Sequence, residues 1–344
     1  MQEYRVGIIG ATGMVGQRFT LLLKEHPWFK VTCVAASSRS AGKPYAEAVA
    51  GPWAFPGTPV PPAIGQLTVL DAADVESVAR QVDFVFCAVD MKKEEIRALE
   101  ERYAKAEVPV ISNNSANRHT PDVPMLIPEI NGAHAAVIEA QRRRLGTRAG
   151  FIAVKPNCSI QSYVPALWPL LDFEPKAVTV CTYQAISGAG KTFETWPEMI
   201  DNVIPYIGGE DEKSEREPLK IFGHVENGAI IDATAPVISA QCLRVAASDG
   251  HMAAVSVKFG RKPTREEILA RWDSCRPATL GLDLPSAPRK FLHYFEEPDR
   301  PQTRLDRDTE GGMAISLGRL RPDTQYDYKF VGLSHNTLRG AAGG

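Results

Sequence analysis

The chain has 344 residues, of which 44% are hydrophobic and 23% charged, and its formal net charge is −2. This length suits two domains, and the composition is that of a packed globular protein. The balanced charge excludes a broad electrostatic surface for nucleic acid or anionic lipid. No apolar run approaches the ~20 residues that cross a bilayer, and the N-terminus lacks a signal-peptide pattern. We therefore expect a cytoplasmic protein that binds neither nucleic acid nor membrane.

Strand-like and helical patterns alternate in the first half of the chain. Strands are predicted over 4–10, 31–36, 83–89 and 108–112, and helices over 14–26, 73–81 and 92–106. This β-α-β alternation predicts an N-terminal Rossmann-type domain with a doubly wound parallel sheet. The Ala-, Pro- and Gly-rich stretch 38–66 is expected to be a long connection.

Longer strands with alternating hydrophobicity dominate the second half. They are predicted over 177–186, 236–245, 252–260, 312–320 and 325–333. Few helical patterns separate them, which favours an α+β domain with a mostly antiparallel sheet that helices cover on one face. The domain boundary is expected near 150–157.

A glycine-rich loop directly follows the first strand and opens a helix. It spans residues 10–16 in a G-x-x-G-x-x-G pattern and contains Gly10, Thr12, Gly13, Met14 and Val15. Glycines permit a tight turn and let backbone N–H groups approach a pyrophosphate, while the helix N-terminus adds partial positive charge. The loop therefore predicts a dinucleotide site.

The end of the second strand indicates which dinucleotide binds. NAD-binding folds usually place an acidic residue there to hold the ribose 2′-OH. This chain instead has Ser38, Arg39 and Ser40, with Lys43 nearby. Arginine can bind a phosphate through two hydrogen bonds. A solvated loop with incidental charge is the alternative, but its position after the glycine loop favours NADP.

The six cysteines and seven histidines are scattered and show no metal-ligand spacing, so we expect no metal. Most cysteines, including Cys33, Cys87 and Cys181, lie in apolar strand-like runs and are expected to be buried and reduced. Cys158 differs, because it lies between polar residues before an apolar helical run. A thiolate at a helix N-terminus is stabilised by the helix dipole, so Cys158 is a candidate nucleophile, against the commoner alternative of a core cysteine.

Arg244 and His251 are seven residues apart, across a polar turn between two predicted strands. We expect the two side chains to lie near each other, where an arginine can hold a carboxylate and a histidine can move a proton. A purely structural histidine is the alternative. Segment 184–190 ends a strand in a Gly-rich turn, where backbone can approach a ligand. Segment 208–213 (GGEDEK) is read as a solvated helix start with an acidic first turn, although a functional cluster is the alternative.

Eight motifs, in order along nearly the whole chain, resemble those of the aspartate-β-semialdehyde dehydrogenase family. They are GATGMVG, ASSRSAGK, SNNSANR, PNCS, QAISGAG, GGEDEK, the Arg244/His251 pair and HNTLRGAAGG. The LIPEIN and SGAG segments are most similar to the archaeal and fungal-like branch. The resemblance implies NADPH-dependent reduction of L-4-aspartyl phosphate to L-aspartate 4-semialdehyde, in lysine, threonine and methionine biosynthesis.

The resemblance also implies roles for individual residues. Cys158 would form the thioester, His251 would be the acid–base and Gln184 would orient the acyl group. Four residues would bind substrate: Arg244 at the α-carboxylate, Glu210 at the amino group, and Arg118 and Lys213 at the phosphate. Contacts to NADP are implied for Thr12, Gly13, Met14, Val15, Ser38, Arg39, Ser40, Ser187, Gly188 and Asn336.

The family's organisation implies two domains and an oligomer. Residues 1–156 would bind NADP, with segment 334–344 returning to that domain. Residues 157–333 would form the catalytic and dimerisation domain, giving a homodimer or a homotetramer.

The chain departs from many family members after SGAG, where residues 191–197 replace the sequence Tyr-Pro-Gly-Val-Pro. Malonyl-CoA reductase and N-acetyl-glutamyl-phosphate reductase use similar thioester chemistry and remain alternatives. The Glu210/Lys213 pair favours a substrate with an amino group and a phosphate. A non-catalytic dinucleotide-binding protein is a further alternative, which the presence of both Cys158 and His251 disfavours.

Overall fold

The computed structural model describes residues 3–344, and their contacts divide them into two compact units. The first unit contains the described residues up to Leu126, with Ala133–Pro156 and Val225–Ile231; the second contains Ile127–Gly132, Asn157–His224 and Asp232–Gly344. Segment 334–344, which we expected to return to the nucleotide-binding domain, lies in the second unit. Within residues 3–344, no helix combines the length and apolarity needed to cross a membrane.

Six parallel strands form the sheet of the first unit. They are β1 (Tyr4–Ile9), β2 (Phe29–Ala36), β3 (Val69–Asp71), β4 (Phe84–Cys87), β5 (Val110–Ser112) and β6 (Ile152–Val154). Their order is β3-β2-β1-β4-β5-β6. Apolar residues such as Val6, Val34 and Val85 are completely buried, as expected for parallel strands covered on both faces. The strand order reverses between β1 and β4, which opens a crevice at the carboxyl ends of the strands.

Short connections and helices link these strands. The helices are α1 (Met14–Leu23), α2 (Tyr45–Ala48), α3 (Pro62–Gly65), α4 (Val75–Ala79), α5 (Lys93–Lys105) and α7 (Ile138–Leu145), while α6 (Pro128–Asn131) belongs to the second unit. The predicted long connection 38–66 contains α2 and α3, which are only one turn long. The amphipathic α5 buries Ile96, Leu99 and Tyr103 and exposes Arg97 and Arg102.

Seven strands form the main sheet of the second unit. They are β7 (Pro175–Gln184), β8 (Val203–Ile204), β11 (Val237–Val245), β12 (His251–Phe259), β13 (Leu292–Phe295), β14 (Ile315–Pro322) and β15 (Tyr328–Ser334), whereas β9 (His224–Glu226) and β10 (Ala229–Ile231) pair separately. The order is β13-β14-β15-β12-β7-β11-β8, with four antiparallel pairs and two parallel pairs. The predicted α/β architecture, with a parallel sheet followed by a mostly antiparallel one, is confirmed.

The helices of the second unit are short apart from two. They are α8 (Val164–Leu167), α9 (Glu210–Ile221), α10 (Arg265–Asp273), α11 (Thr303–Asp306) and α12 (Thr309–Gly312). Helix α9 packs against β11, and its acidic first turn complements the helix dipole. In β12 the buried residues alternate with partly exposed ones, so one face of this strand contributes Ala253, Val255 and Val257 to the core.

The helical run predicted after Cys158 is not continuous. It consists of a 3-10 turn (Ser159–Ser162), α8, and a second 3-10 segment (Trp168–Phe173). Pro165 and Pro169 each open one of the later segments, because proline fits a first turn but cannot donate within a helix. The expectation of a helix macrodipole at Cys158 was therefore wrong; a single 3-10 turn follows this residue.

Candidate active site

The glycine loop of the first unit passes close to the end of β4. Gly10 has a φ of +85°, and a Cβ at this residue would lie 2.3 Å from the carbonyl oxygen of Ala88. A Cβ at Gly16 would lie 2.2 Å from the carbonyl oxygen of Gly10. Both positions therefore require glycine, and α1 begins immediately after the turn with its N–H groups at the loop.

Two buried side chains hold the carbonyl groups of this loop. The Tyr45 hydroxyl donates to the Ala11 carbonyl at 2.9 Å. The Gln17 amide donates to the carbonyls of Thr12, at 2.8 Å, and Pro52, at 2.9 Å. The sequence analysis missed both residues, because contacts between side chains and distant backbone leave no local pattern.

A cavity of about 510 Å³ lies at the carboxyl ends of the parallel strands. Of the predicted cofactor residues, five line it: Gly10, Thr12, Gly13, Ser38 and Arg39. Met14 and Val15 begin α1, and Ser40 continues the loop after β2, so these three lie outside the lining. The open glycine turn and the exposed Arg39 suit a pyrophosphate and a 2′-phosphate, so these residues fit NADP.

Arg118 is buried in the first unit within the SNNSANR segment. Its Nε donates to the Lys155 carbonyl at 2.9 Å, and its Nη2 donates to the Asn113 carbonyl at 3.1 Å. The buried carboxylate of Glu100 accepts hydrogen bonds from the amides of Asn114, at 3.0 Å, and Asn117, at 2.7 Å. Burial raises the pKa of Glu100. The segment that carries Arg118 is thus anchored from inside the first unit.

Three strand ends meet at one edge of the second unit's sheet. Gln184 ends β7, Arg244 lies one residue before the end of β11, and His251 begins β12. Strand β7 lies between the other two, and Gln184 is directly opposite Arg244 in the register. The sheet therefore brings together three residues that are far apart in the sequence.

The backbone of Ala185 connects two of them. Nη1 of Arg244 donates to the Ala185 carbonyl at 2.7 Å, and Nδ1 of His251 accepts the Ala185 N–H at 3.0 Å. A Cβ at Gly188 would lie 2.9 Å from Nη1 of Arg244 and 3.0 Å from Nε2 of His251. The turn after β7 can therefore cover both side chains only with glycine at position 188.

His251 is completely buried at the start of β12. Burial, together with the positive charge of Arg244, lowers the pKa of His251 to about 3. Since Nδ1 accepts a hydrogen bond, the neutral ring carries its proton on Nε2. Within residues 3–344, Nε2 has no hydrogen-bond partner. The site thus contains an imidazole N–H that is available to a ligand.

The backbone around Cys158 is fixed by the preceding asparagine. Oδ1 of Asn157 accepts the Ser159 N–H at 2.8 Å and the Ser159 hydroxyl at 2.6 Å, so the asparagine side chain spans Cys158. The Asn157 N–H donates to the buried carboxylate of Glu217 at 2.6 Å. Sequence reasoning used Asn157 only as a polar neighbour and missed this role.

Burial distinguishes Cys158 from most other cysteines. Cys33, Cys87, Cys242 and Cys275 are buried, whereas Cys158 is half-buried. Cys181 is also half-buried, contrary to our expectation, because it lies on the β7 face opposite the buried Val180 and Thr182. Partial burial alone therefore does not single out Cys158.

Glu210 connects the Cys158 turn to the strand ends. Its carboxylate accepts hydrogen bonds from Asn157, at 2.9 and 3.0 Å, from Gln184 at 3.2 Å, and from Lys213 at 2.7 Å. Burial alone would raise the pKa of Glu210, but the charge of Lys213 and these hydrogen bonds outweigh it and hold the pKa below its ordinary value. A helix does start here, but the solvated interpretation was wrong for Glu210, which is buried.

Electrostatics also link Cys158 to Arg244. Burial lowers the pKa of Arg244, while negative charge on Cys158 and Glu210 acts in the opposite direction. Close to this group, Asn336 donates to the Ser187 hydroxyl at 2.9 Å and accepts the Gly250 N–H at 2.8 Å. The second unit's expected cofactor residues Ser187, Gly188 and Asn336 therefore lie next to the Arg244/His251 pair. Among residues 3–344, no cluster of three or more His, Cys, Asp or Glu side chains could hold a metal ion.

Known proteins share this sequence and fold. The family description "Semialdehyde dehydrogenase, NAD binding domain" matches residues 5–138, and "Semialdehyde dehydrogenase, dimerisation domain" matches residues 167–339. The aspartate-semialdehyde dehydrogenase of Archaeoglobus fulgidus is 44% identical, over 99% of this chain and 95% of its own. The Schizosaccharomyces pombe enzyme of the same name is 43% identical, over 98% and 95%.

A solved structure gives the same result in three dimensions. The crystal structure of aspartate semialdehyde dehydrogenase with NADP from Candida albicans superposes with a TM-score of 0.87, at 36% identity, over 99% of this chain and 96% of that one. The resemblance inferred from the eight motifs is confirmed, and the chain belongs to the aspartate-semialdehyde dehydrogenase family.

Proposed function

We propose that this protein reduces L-4-aspartyl phosphate to L-aspartate 4-semialdehyde, reversibly, with NADPH as reductant and phosphate as the leaving group. The observation that carries the proposal is the convergence of Gln184, Arg244 and His251 at one sheet edge, connected to the Cys158 turn through Glu210. Relatives of 43–44% identity that bear the name of this activity support it.

Cys158 acts as the nucleophile in this proposal. Its thiolate attacks the acyl carbon, the bond to phosphate breaks, and a thioester forms. The guanidinium of Arg244 interacts electrostatically with Cys158. Asn157 fixes the backbone on either side of Cys158, so the sulfur is held in one place for the attack.

His251 acts through the proton on Nε2. Reduction places negative charge on the former acyl oxygen, and collapse of the thiohemiacetal returns that charge to the sulfur of Cys158. The Nε2–H of His251 can donate a hydrogen bond to each atom in turn. The neutral ring is available throughout the physiological pH range, because its pKa is about 3.

The charged residues suit the ends of the substrate. Arg244 offers a planar guanidinium for the α-carboxylate, and Glu210, ionised through its lowered pKa, accepts the ammonium group. Gln184 would orient the acyl group. Lys213 uses one of its three donors on Glu210 and has two left for phosphate, which Arg118 would also bind.

The cavity of the first unit would hold the cofactor. We assign residues 1–156 to NADP binding and 157–333 to catalysis and dimerisation. Gly10, Thr12, Gly13, Met14 and Val15 would cradle the pyrophosphate, and Ser38, Arg39 and Ser40 would bind the 2′-phosphate. On the second unit, Ser187, Gly188 and Asn336 would complete the cofactor contacts. When bound, NADPH supplies the hydride. The protein would be a cytoplasmic homodimer or homotetramer, and the matched dimerisation domain supports an oligomer.

The test is the reverse reaction. Purified protein is mixed with aspartate semialdehyde, phosphate and NADP, and NADPH is followed by absorbance. We expect phosphate-dependent NADPH formation. Parallel assays use malonate semialdehyde with CoA, and N-acetyl-glutamate semialdehyde with phosphate. NADPH formation with one of these and none with aspartate semialdehyde would reassign the substrate, and none with any of them would refute the proposed chemistry.

A further inference from the structure

The C-terminal segment after β15 packs on Cys158 and bonds to the backbone next to His251. A Cβ at Gly340 would lie 2.8 Å from Cβ of Cys158, so the backbone of this segment packs directly on the cysteine. Four residues earlier, Oδ1 of Asn336 accepts the N–H of Gly250, the neighbour of His251, at 2.8 Å. The Gly340 N–H donates to the His335 carbonyl at 2.9 Å and closes the turn. One turn, residues 335–340, therefore contacts Cys158 directly and bonds to the backbone next to His251.

A buried ion pair anchors this turn. The Arg339 side chain is 2% exposed, and its Nη1 donates to Oε1 of Glu129 at 2.6 Å. The guanidinium also lies over the ring of Phe291, 4.8 Å from the centroid. Glu129 belongs to α6, in the LIPEIN segment. In the sequence, Arg339 lies after Asn336 and directly before Gly340, the residue that packs on Cys158.

The pair is a costly way to hold a turn in place. Within the described part of the chain, Nε and Nη2 of Arg339 are buried without a hydrogen-bond partner. Burying two charges removes them from water, and replacing a buried ion pair with apolar residues of similar volume is often neutral or stabilising. The ion pair is therefore expected to contribute little to the free energy of unfolding. Its directional hydrogen bond can instead fix the position of the turn that carries Arg339.

We propose that Glu129 and Arg339 are positioning residues that clamp turn 335–340, and that the clamped turn sets the separation of Cys158 from His251. Gly340 bears on one reacting group and Asn336 on the backbone next to the other, so a shift of the turn moves them relative to each other. The proposal rests on the proposed function, in which Cys158 attacks the acyl carbon and His251 donates a hydrogen bond to the oxygen on that carbon and to the sulfur. Misplacing a reacting group by about 1 Å can lower a rate about a hundredfold.

The main experiment replaces the ion pair with apolar residues of similar length. In the double variant Glu129→Leu/Arg339→Met we expect a melting temperature near that of the wild type and kcat in the reverse reaction at least about tenfold lower. KM for aspartate semialdehyde should change by less than about threefold, because Arg244 and Glu210 are untouched. The control Asp172→Asn/Arg271→Gln removes a surface pair of the same unit, 2.9 Å apart, and should leave kcat unchanged.

Two further variants keep the test decisive if the double variant fails to fold. Arg339→Lys keeps the charge but loses the planar geometry, so kcat should lie between those of the wild type and the double variant. Gly340→Ala keeps the ion pair and places a methyl group 2.8 Å from Cβ of Cys158, so the turn and the cysteine must move apart and kcat should fall. Wild-type kcat in a folded double variant, or in both of these single variants, overturns the proposal.

A separate readout distinguishes this proposal from the proposed function. The alkylation rate of Cys158 by iodoacetamide, followed on its peptide by mass spectrometry, needs no substrate. If the wild type has no dehydrogenase activity, the proposed function fails. The clamp is then judged by this rate, which should change at least about threefold in the double variant and stay constant in the Asp172→Asn/Arg271→Gln control. An unchanged rate contradicts the clamp.

Discussion

Arg244 and His251 are held by the same residue, since the arginine donates to the Ala185 carbonyl at 2.7 Å and the histidine accepts the Ala185 N–H at 3.0 Å. The two side chains thus occupy fixed positions relative to one peptide segment at the end of β7. This arrangement keeps the positive charge of Arg244 next to the imidazole. Burial is the main cause of the low pKa of His251, and this charge lowers the pKa further. The low pKa of His251 makes the stability of the protein depend on pH, whether or not substrate is bound.

Stability should depend on pH through His251. Its folded-state pKa of about 3 lies below the ordinary value of 6.5, so between these values the unfolded chain binds the extra proton. The contribution to stability is therefore fully present above pH 6.5 and is lost as pH falls towards 3. At pH 5.5 the loss is about 1 kcal/mol.

The variant His251→Gln removes this titration and keeps an acceptor for the Ala185 N–H. The fall in melting temperature between pH 7.5 and pH 5.5 should be smaller in the variant by roughly 1 to 2 °C. Differential scanning calorimetry at both pH values measures it. Identical pH dependence in the two proteins would show that His251 is not buried as a neutral ring.

Cys158→Ser should abolish turnover and leave the cofactor site intact. Loss of a catalytic nucleophile usually lowers kcat by several orders of magnitude, whereas the NADP cavity belongs to the first unit. Reverse-reaction assays and NADP titration by intrinsic fluorescence measure the two effects. Cys181→Ser is the matched control, since this cysteine is also half-buried but lies away from the strand ends. Activity above about a hundredth of wild type in Cys158→Ser would exclude the nucleophile assignment.

Arg39 should set the preference for NADP over NAD. It lines the cavity beyond β2, where no carboxylate occupies the usual position for binding a ribose 2′-OH. Arg39→Ala should lower kcat/KM for NADP by about tenfold to a hundredfold and change that for NAD by less than about threefold, because one charge-assisted pair to the 2′-phosphate is lost. Steady-state kinetics with both cofactors provide the measurement. If Arg39→Ala still prefers NADP over NAD to the same degree, other residues bind the 2′-phosphate.

The sequence predicted those parts of the fold that have a periodic or local signal. The alternation of strands and helices predicted β1, β2, β4 and β5 and with them a parallel sheet, whereas the three-residue strands β3 and β6 were not predicted. The loop 10–16 predicted a dinucleotide site where a cavity lies, because the glycine pattern depends on neighbouring residues. The helix predicted after Cys158 was wrong. The segment is apolar throughout, but Pro165 and Pro169 divide it into short helical segments. Only the three-dimensional contacts place segment 334–344 in the second unit.

Local sequence singled out Cys158, Arg244 and His251 as candidates, but it did not predict the contacts between the residues of the site. Arg244 and His251 could be paired because one turn separates them. The meeting of both with Ala185 depends on β7 inserting between β11 and β12, which no spacing reveals. The same holds for Asn157 with Glu210, and for Glu129 with Arg339, which is 210 residues away. Such long-range pairs are set by the tertiary fold and leave no pattern in a single sequence.

Arg244→Lys should behave as a severe change. A guanidinium can hold a carboxylate through two parallel hydrogen bonds while its Nη1 remains on the Ala185 carbonyl, whereas an ammonium has no fixed plane. The substrate could then pivot about Cys158, and small displacements of the reacting carbon are costly. We expect kcat/KM for aspartate semialdehyde to fall by about a hundredfold or more, with NADP affinity nearly unchanged.

Steady-state kinetics of the reverse reaction and NADP titration check this expectation. The surface substitution Arg271→Lys, in the same unit, is the control and should retain wild-type kinetics. If Arg244→Lys keeps kcat/KM within about threefold of wild type, Arg244 does not bind the α-carboxylate. The carboxylate would then have to be held by another cation, and the proposed substrate orientation would be wrong even if Cys158 remains the nucleophile.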